Sequence, residues 1–310
     1  MSSRSFPSER TNPDESSAEF QPSSATAGKG GSELNMMINL PVRVGVYGAF
    51  GRMGQILVRS LLSGVDSERE PKLMLTAAVE VTNHPHLGRD IGPSCGMGPV
   101  GLDLTDDLAR ALSNVDVMID FSTPGATALL ASAAVETNTP LVIGTTSLHA
   151  AALAAIDTAA NRVPVVCSAN MSPGVSVLIA LLKRAAAALP DYDAEVLELH
   201  HRWKRDAPSG TALLLADSIE GARGRKSDLR LGRSGMTGPR EASELGIMAV
   251  RGGDVVGEHT AFFFGVGERL ELTHRAQSRD VFARGALQAA RWVAGQQPGI
   301  YGMEDVLGMY

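Results

Sequence analysis

The stretch Val42-Arg-Val-Gly-Val-Tyr-Gly-Ala-Phe-Gly-Arg-Met-Gly-Gln-Ile-Leu-Val-Arg-Ser-Leu-Leu62 contains a β-rich run, a glycine turn and a helical pattern in succession. The run ending at Tyr47 predicts a buried strand, and the residues after Gly54 predict a helix. Gly48 suits a tight turn, Gly51 lets the backbone approach a pyrophosphate, and Gly54 lets the helix pack closely on the strand. Strand, glycine turn and helix in this order are typical of a dinucleotide-binding unit.

The glycine turn and the acid after the next strand are candidates for cofactor contacts. The glycine spacing is Gly-x-x-Gly-x-x-Gly, with Phe50 where the commonest fingerprint has glycine. The next β-rich run, Leu73–Val79, leads to Glu80, where an acid can accept hydrogen bonds from the adenine ribose. The alternative for Glu80 is a solvated carboxylate at a strand end. The turn residues predicted to bind the cofactor are Gly48, Ala49, Phe50, Gly51, Arg52 and Met53.

Three further segments repeat this alternation of strand and turn. β-rich runs occupy 116–121, 140–143 and 163–167. The first two lead through turns into helical patterns at 126–136 and at 150–160, the second of them alanine-rich. Such alternation predicts an α/β fold with a parallel, doubly wound, Rossmann-like sheet, whose ligands bind at the carboxyl ends of the strands. Taken singly, each turn also fits simple turn chemistry. The turns of interest at these strand ends are Gly144-Thr145-Thr146 and Ser168-Ala169-Asn170-Met171.

The character of the sequence changes after Ser172. A helical pattern covers about Val175 to Leu189, and the runs 247–251, 257–264 and 268–275 are predicted to be antiparallel strands. The second half therefore predicts an α+β domain with a mixed or antiparallel open sheet. The apolar face of that sheet must be covered by helices or by another subunit.

The composition excludes several classes of protein. With 310 residues, 44% hydrophobic content and a net charge of −6, the chain is expected to form one or two globular domains, and the lack of a long Lys/Arg block argues against nucleic acid or an anionic membrane as partner. No apolar run approaches the roughly 18 residues that span a bilayer. Cys95 and Cys167 form neither a disulfide framework nor a metal-ligand set, which favours a reducing compartment, the cytoplasm, and no metal. Residues 1–38, rich in Ser, Pro, Glu and Gly, predict a disordered tail.

The stretch from Glu198 to Ala212 concentrates groups that carry chemistry. His200 can supply a proton near neutral pH, Lys204 can hold an anion, and Ser209 is a good N-cap for a following helix. The backbone amides of Gly210 and Thr211 would then receive a carboxylate or phosphate. The combination suits a small dicarboxylate that must be protonated. The alternative is an ordinary solvated loop.

A family resemblance supports the functional interpretation. The run His200-His201-x-x-Lys204-x-Asp206-Ala207-Pro208-Ser209-Gly210-Thr211-Ala212 closely resembles the signature of the dihydrodipicolinate reductases, now called 4-hydroxy-tetrahydrodipicolinate reductases. The Gly-Arg-Met-Gly core of the first turn resembles that family's version of the loop, and the resemblance extends in patches from Val42 to Leu307. It implies reduction of 4-hydroxy-tetrahydrodipicolinate, a cyclic dicarboxylate, by NADH or NADPH to tetrahydrodipicolinate with loss of water. This reaction belongs to lysine biosynthesis through diaminopimelate.

The resemblance also implies roles for residues and a division into domains. His200 would supply the proton that completes reduction, and Lys204 would assist as a cation or as a proton donor. His201, Gly210 and Thr211 would hold the carboxylates. The turns at 144–146 and 168–171 would line the nicotinamide. The helix predicted at 281–294 would return to the first domain. The dinucleotide-binding domain would then comprise 39–171 and 280–310, and the substrate-binding and oligomerisation domain 172–279.

Assembly and rival functions follow from the same features. The resemblance and the strand-rich segment Ile247–Arg275 predict a homotetramer built through sheets of the second domain.

One alternative to the reductase function is a dinucleotide-sensing regulator that has lost catalysis, although the retained His200, Lys204 and Ser-Gly-Thr turn speak against it. Another is a different oxidoreductase of the same plan, such as a homoserine or aspartate dehydrogenase.

Cofactor choice depends on the residues after the second and fourth strands. Several relatives carry an arginine after the strand-end acid, but here Glu80 is followed by Val81, and Thr123 replaces an arginine found elsewhere. A carboxylate accepts from ribose hydroxyls and repels a 2′-phosphate, so the sequence predicts a preference for NADH. The cations that could restore NADPH binding are Arg89 and the loop histidines His84 and His86.

Overall fold

The computed structural model describes residues 40–64, 69 and 71–309. The tail predicted for residues 1–38 lies outside the described residues. The strands are β1 Val42–Tyr47, β2 Leu73–Val79, β3 Leu104–Thr105, β4 Val117–Asp120, β5 Leu141–Ile143, β6 Pro164–Cys167, β7 Asp193–His200, β8 Asp228–Arg230, β9 Glu244–Arg251, β10 Gly257–Gly265, β11 Glu268–Ala276 and β12 Gly299–Tyr301. The helices are α1 Arg52–Leu62, α2 Ile91–Ser94, α3 Leu108–Leu112, α4 Pro124–Thr137, α5 Ala150–Ala160, α6 Pro173–Ala188, α7 Gly210–Arg223, α8 Asp280–Val293 and α9 Met303–Val306.

The first sheet is parallel throughout, in the order β12-β6-β5-β4-β1-β2-β3. One face packs on α1, α8 and α9 and the other on α3, α4 and α5, so each face has its own apolar core. Burial on both faces accounts for continuous apolar strands such as Val117–Asp120. The predicted doubly wound α/β fold is confirmed. The strand order reverses between β1 and β4, where ligands of such sheets bind.

The second sheet is mixed, in the order β11-β10-β7-β9-β8. α6 and α7 cover one face, around the fully buried Phe263. β10 runs antiparallel to both neighbours, but β9 runs parallel to β7 and to β8. The run 247–251 was predicted to be an antiparallel strand, but both of its pairings are parallel. Of the two predicted alternatives for this sheet, mixed or antiparallel, the mixed one is confirmed. The chain between β7 and β9 includes α7, and such a long crossover returns a strand in the parallel sense.

The chain passes from the first sheet to the second through α6 and returns through α8. β12 then pairs with β6 at the edge of the first sheet. α8 lies very close to the end of β6, because a Cβ on Gly285 would lie 1.7 Å from the carbonyl oxygen of Met171. The described residues form one compact unit, so the boundary at 171/172 stays a prediction. No helix in the described part of the chain has the length and apolar character that crossing a membrane requires.

Candidate active site

The glycine turn after β1 forms a cradle for an anionic group. Gly48 has φ +77°, and a Cβ there would lie 2.7 Å from the carbonyl oxygen of Phe121. Gly54 is equally confined, since its Cβ would lie 2.1 Å from the carbonyl oxygen of Gly48. α1 begins after Gly51 without a side-chain cap, so the amides of its first turn remain free to bind an anion. The cradle fits a dinucleotide pyrophosphate.

Glu80 lies under this cradle and holds it. One carboxylate oxygen accepts the Phe50 amide at 3.0 Å and the other accepts the Val81 amide at 3.1 Å. The Phe50 ring stacks on His86 with centroids 4.4 Å apart, and the His84 ring lies 4.7 Å away. The histidine loop therefore folds over the glycine turn. Of the other predicted residues of the turn, Ala49 is buried, Met53 is half-buried and Arg52 is exposed.

The ends of β4 and β5 are tied together by a buried carboxylate. Asp120 accepts the Ser122 amide at 2.9 Å and the hydroxyls of Ser122 and Thr127, each at 2.5 Å. The Ser122 amide also donates to Thr145 Oγ1 at 2.9 Å. Burial raises the pKa of Asp120, although its hydroxyl and amide donors oppose this effect. Gly144 makes room for the Phe121 ring, since a Cβ would lie 2.3 Å from it.

The turn after β6 joins the two halves of the site. Asn170 Nδ2 donates to Thr211 Oγ1 at 3.0 Å, and Asn170 Oδ1 accepts the Ser172 amide at 2.9 Å. Ser168 Oγ donates to the Asn170 carbonyl at 2.9 Å and shapes the turn. Met171 is buried in the core, so only its backbone can face a ligand. The exposed residues of these turns are Thr146 and Ala169, with Ser168 and Asn170 half-buried.

His200 stands at the end of β7 against a buried glutamate. His200 Nδ1 is hydrogen-bonded to Glu198 Oε2, and the Glu198 side chain has no exposure to solvent. Arg251 donates to both oxygens of Glu198, at 2.8 and 3.1 Å, and the Ser209 amide donates to Oε1 at 3.2 Å. His259 packs edge-on against His200, with centroids 5.2 Å apart. Its Nε2 lies 3.1 Å from Ser209 Oγ.

This cluster shifts the acidity of its members. Burial lowers the pKa of His200, Lys204 and Arg251 add to the effect, and Glu198 opposes it, leaving the pKa below its ordinary value. Burial alone would raise the pKa of Glu198, but the hydrogen bonds from Arg251 and His200 bring it below its ordinary value. Burial and the proximity of His200 lower the pKa of His259 to about 4. Near neutral pH the cluster therefore contains an ionised Glu198 and a neutral His259.

Glu198, His200 and His259 place possible metal-ligand atoms within 4.8 Å of one another. Both Glu198 oxygens already accept from Arg251, and a guanidinium repels a metal cation. The arrangement is better suited to orienting His200 than to binding a metal.

The start of α7 forms the opposite wall. Ser209 Oγ caps the helix by accepting the Ala212 amide at 3.2 Å, as the sequence predicts. Gly210 and Thr211 form the first helical positions. Lys204 donates to both oxygens of Asp206 at 2.9 Å and keeps 20% of its side chain exposed. The remaining predicted residue, His201, has a buried Nδ1 without a partner among the described residues, and its Nε2 lies 3.5 Å from an Arg279 nitrogen.

Sequence reasoning missed Glu198, Arg251 and His259. Glu198 could have been found locally, because residues two apart on a strand point to the same side and Glu198 shares a face with His200. Arg251 and His259 are far away in sequence and enter the site only through the register of the second sheet. Asp120 was read only as part of an apolar run, and its polar surroundings depend on the turn that follows β4.

Comparison with known proteins identifies the family. The family models described as "Dihydrodipicolinate reductase, N-terminus" and "Dihydrodipicolinate reductase, C-terminus" match residues 42–171 and 174–307. The chain belongs to the dihydrodipicolinate reductase family. The family and the oxidoreductase class predicted from the sequence are confirmed, and a homoserine or aspartate dehydrogenase is set aside.

Individual relatives cover nearly the whole described chain. The 4-hydroxy-tetrahydrodipicolinate reductase of Anaeromyxobacter dehalogenans (strain 2CP-C) is 47% identical over 270 residues, which are 86% of this chain and 98% of that protein. The reductase of Alkalilimnicola ehrlichii is 45% identical over 273 residues, 87% of this chain and 100% of that protein.

Solved structures show the same fold. The dipicolinate-bound dihydrodipicolinate reductase from Paenisporosarcina sp. TG-14 superposes with a TM-score of 0.67 at 24% identity, over 86% of this chain and 99% of that chain. An amine dehydrogenase from Mycobacterium smegmatis superposes with a TM-score of 0.52 at 14% identity, over 85% of this chain and 95% of that chain. The fold is therefore shared beyond the dihydrodipicolinate reductase family.

Proposed function

We propose that the chain reduces 4-hydroxy-tetrahydrodipicolinate to tetrahydrodipicolinate, with NADH or NADPH as reductant and release of water, in lysine biosynthesis. The observation that carries the proposal is the Asn170–Thr211 hydrogen bond. It joins the turn at the nicotinamide end of the first sheet to the anion-binding start of α7. A hydride donor in the first sheet and a carboxylate at α7 would therefore meet beside His200.

The proposed roles follow from position and charge. The cofactor, when bound in the glycine cradle, supplies the hydride that reduces a ring carbon of the substrate. His200 supplies the proton from Nε2, because Nδ1 is held by Glu198. Lys204 holds a substrate carboxylate as a cation and can also act as a proton donor. Gly210 and Thr211 hold a carboxylate through the free amides of the helix start, and His201 contacts the substrate from the loop after β7.

The catalytic assignment is tested by His200→Ala and Lys204→Ala. Both variants should fold and bind cofactor but lose roughly 10²–10⁴-fold in kcat/KM, the range for removal of a general acid. Single-turnover oxidation of NADH with authentic substrate also separates this enzyme from a dinucleotide-sensing regulator, which would bind NADH without oxidising it. Wild-type turnover by His200→Ala between pH 6 and 9 would eliminate the role proposed for that histidine.

We also propose that NADH is preferred over NADPH. Glu80 already receives the amides of Phe50 and Val81, and its remaining acceptor capacity suits ribose hydroxyls. The groups that could favour NADPH instead are Arg52, exposed at the start of α1, and two histidines beside Phe50, His86 stacked on its ring and His84 tilted to it. Comparing kcat/KM for both cofactors at low salt is the direct test, since salt would screen loop charges. A tenfold advantage for NADPH would assign the choice to these cations.

The second domain is proposed to bind substrate and to assemble four chains. α6 and α7 cover one face of its sheet, while the opposite face exposes 45% of Val250 and 37% of Phe264, whose ring stacks on Phe262. An apolar sheet face of this kind is stabilised by a second copy of itself. Light scattering on the chain beginning at Asn39 should give a tetramer, and a monomer at micromolar concentration would refute the assembly.

We place the enzyme in the cytoplasm. Cys95 and Cys167 are both free thiols in the structure, as proteins of a reducing compartment commonly have.

A further inference from the structure

We propose that Glu198, clamped by Arg251, is the positioning residue for proton transfer, because it fixes His200 with Nε2 toward the substrate and fastens that histidine to the start of α7. This inference deepens the proposed function and rests on it. It assigns to one buried carboxylate the alignment of the proton donor with the substrate-binding helix.

The register of the second sheet explains why these groups meet. Residues 194, 196, 198 and 200 of β7 form its buried face, so Glu198 and His200 point to the same side. His259 of β10 lies opposite Glu198, and Arg251 of β9 lies opposite His200. The four side chains therefore come from three adjacent strands, and the arrangement is as rigid as the sheet that carries it.

Glu198 can act only as an acceptor in this position. Its two oxygens accept hydrogen bonds from the Arg251 guanidinium, the Ser209 amide and His200 Nδ1. A carboxylate with this set of donors is ionised, so the proton of the shared hydrogen bond belongs to His200 Nδ1. Nε2 is then the nitrogen that gains and loses a proton. Gly257 leaves it room, because a Cβ at that position would lie 3.0 Å from Nε2.

The same carboxylate links the proton donor to the substrate site. Glu198 Oε1 accepts the amide of Ser209, the N-cap of α7, while Oε2 accepts His200 Nδ1. A movement of the α7 start relative to His200 would break one of these hydrogen bonds. Fixed geometry of this kind matters, since misplacement by about 1 Å can cost roughly 10²-fold in rate.

The charges around His200 make the Glu198 carboxylate necessary for protonation of the imidazole. The groups facing the imidazole from the packed elements are Lys204, Arg251, His259 and Glu198. The two cations and burial lower the pKa of His200, and Glu198 is the group that raises it. Replacing Glu198 by a neutral residue would therefore leave His200 unprotonated at the pH values where reduction needs its proton.

The test compares Glu198→Gln with the wild type and with a matched control. Glu220→Gln is the control, because Glu220 is also buried and accepts a cation, Lys226, and a backbone amide, at the far end of α7. Eleven residues of helix place it roughly 16 Å from Ser209. Two readouts are needed: the pH profile of kcat/KM, and the affinity for pyridine-2,6-dicarboxylate with NADH bound, measured by calorimetry across the same pH range.

We expect Glu198→Gln to move the basic limb of the kcat/KM profile down by about one to three pH units, as removal of a neighbouring opposite charge does. The pH above which dicarboxylate binding weakens should fall by a similar amount. Glu220→Gln should leave both the kcat/KM profile and the pH dependence of binding unchanged. A uniform loss at every pH, with an unmoved limb, would show a merely structural role and overturn the proposal. If Glu198→Gln does not fold, Arg251→Gln removes both the clamp on Glu198 and a cation that lowers the pKa of His200, so the basic limb should move up, and an unmoved limb in that variant would overturn the proposal.

The two readouts distinguish this inference from the proposed function. A wild type that binds pyridine-2,6-dicarboxylate but oxidises no NADH with the authentic substrate would refute the reductase function. The pH dependence of binding in Glu198→Gln would still decide the role of Glu198, because binding of the dianion depends on His200 protonation without requiring turnover.

Discussion

Replacing Gly54 by alanine should separate cofactor binding from folding. An ideal Cβ at residue 54 would lie 2.1 Å from the Gly48 carbonyl oxygen and 2.7 Å from Ala49 Cα. Reaching a tolerable 3.0 Å requires the start of α1 to move by about 0.9 Å relative to the turn, the difference between 3.0 and 2.1 Å. Misplacing catalytic groups by about 1 Å can cost roughly 10²-fold in rate, and we expect a factor of similar size in NADH affinity. That factor corresponds to about 2.7 kcal/mol, within the roughly 1–3 kcal/mol expected for overpacking a confined site.

The assay is calorimetric titration of NADH, with circular dichroism as a check on folding. Gly54→Ala should bind NADH about 100-fold more weakly while keeping its secondary structure. Gly295→Ala is the matched control, because residue 295 has open space around the added Cβ and no positive φ. An NADH affinity within twofold of the wild type in Gly54→Ala would refute the reasoning that close approach of α1 to the turn forms the cradle.

Three further predictions concern cofactor choice, acid stability and thiol reactivity. Val81→Arg places a cation beside Glu80, and we expect the NADPH-to-NADH ratio of kcat/KM to rise by about tenfold or more; an unchanged ratio would place the 2′-phosphate elsewhere. Burial lowers the pKa of His259 to about 4, so the unfolded chain binds this proton more readily and stability should fall as pH drops from about 6.5 toward 4, by at most roughly 3 kcal/mol. Thermal denaturation of His259→Asn should show a flatter dependence over that range, and identical slopes would contradict the assignment. Burial raises the pKa of Cys167 to about 11, so iodoacetamide at pH 8 should label it in the denatured chain far faster than in the native one, as mass spectrometry would show.

The first half of the fold could be predicted from local patterns. The glycine turn marks the first strand–helix unit, and α5 has the bounds 150–160 that its alanine-rich pattern indicates. These elements are recognisable because a buried parallel strand and a turn that begins a helix leave strong signals within a few residues. β3 and β8 were missed, since two or three residues carry too little pattern for a strand.

The second sheet and the groups around His200 depend on contacts between residues that are far apart in the sequence. The direction of β9 is set by the crossover through α7, and no composition distinguishes a parallel from an antiparallel strand of eight residues. The location of His200 at a strand end and the Ser209 cap were readable from neighbouring residues. The clamp on Glu198 was not, because Arg251 is 53 residues away and meets it only once the sheet has its register.

The segment between the two crossings of the chain begins and ends in one place. Ser172, at its start, lies within 3.3 Å of His274 near its end, and α8 then runs against Met171 with no room for a side chain on Gly285. The second sheet and its helices therefore form an insertion between β6 and α8, and the two ends of this insertion lie side by side. The entropy of closing a chain depends on the separation of its ends and only weakly on its length, so an insertion with adjoining ends disturbs its host little. An insertion attached in this way can be enlarged or exchanged while the parallel sheet keeps its own topology.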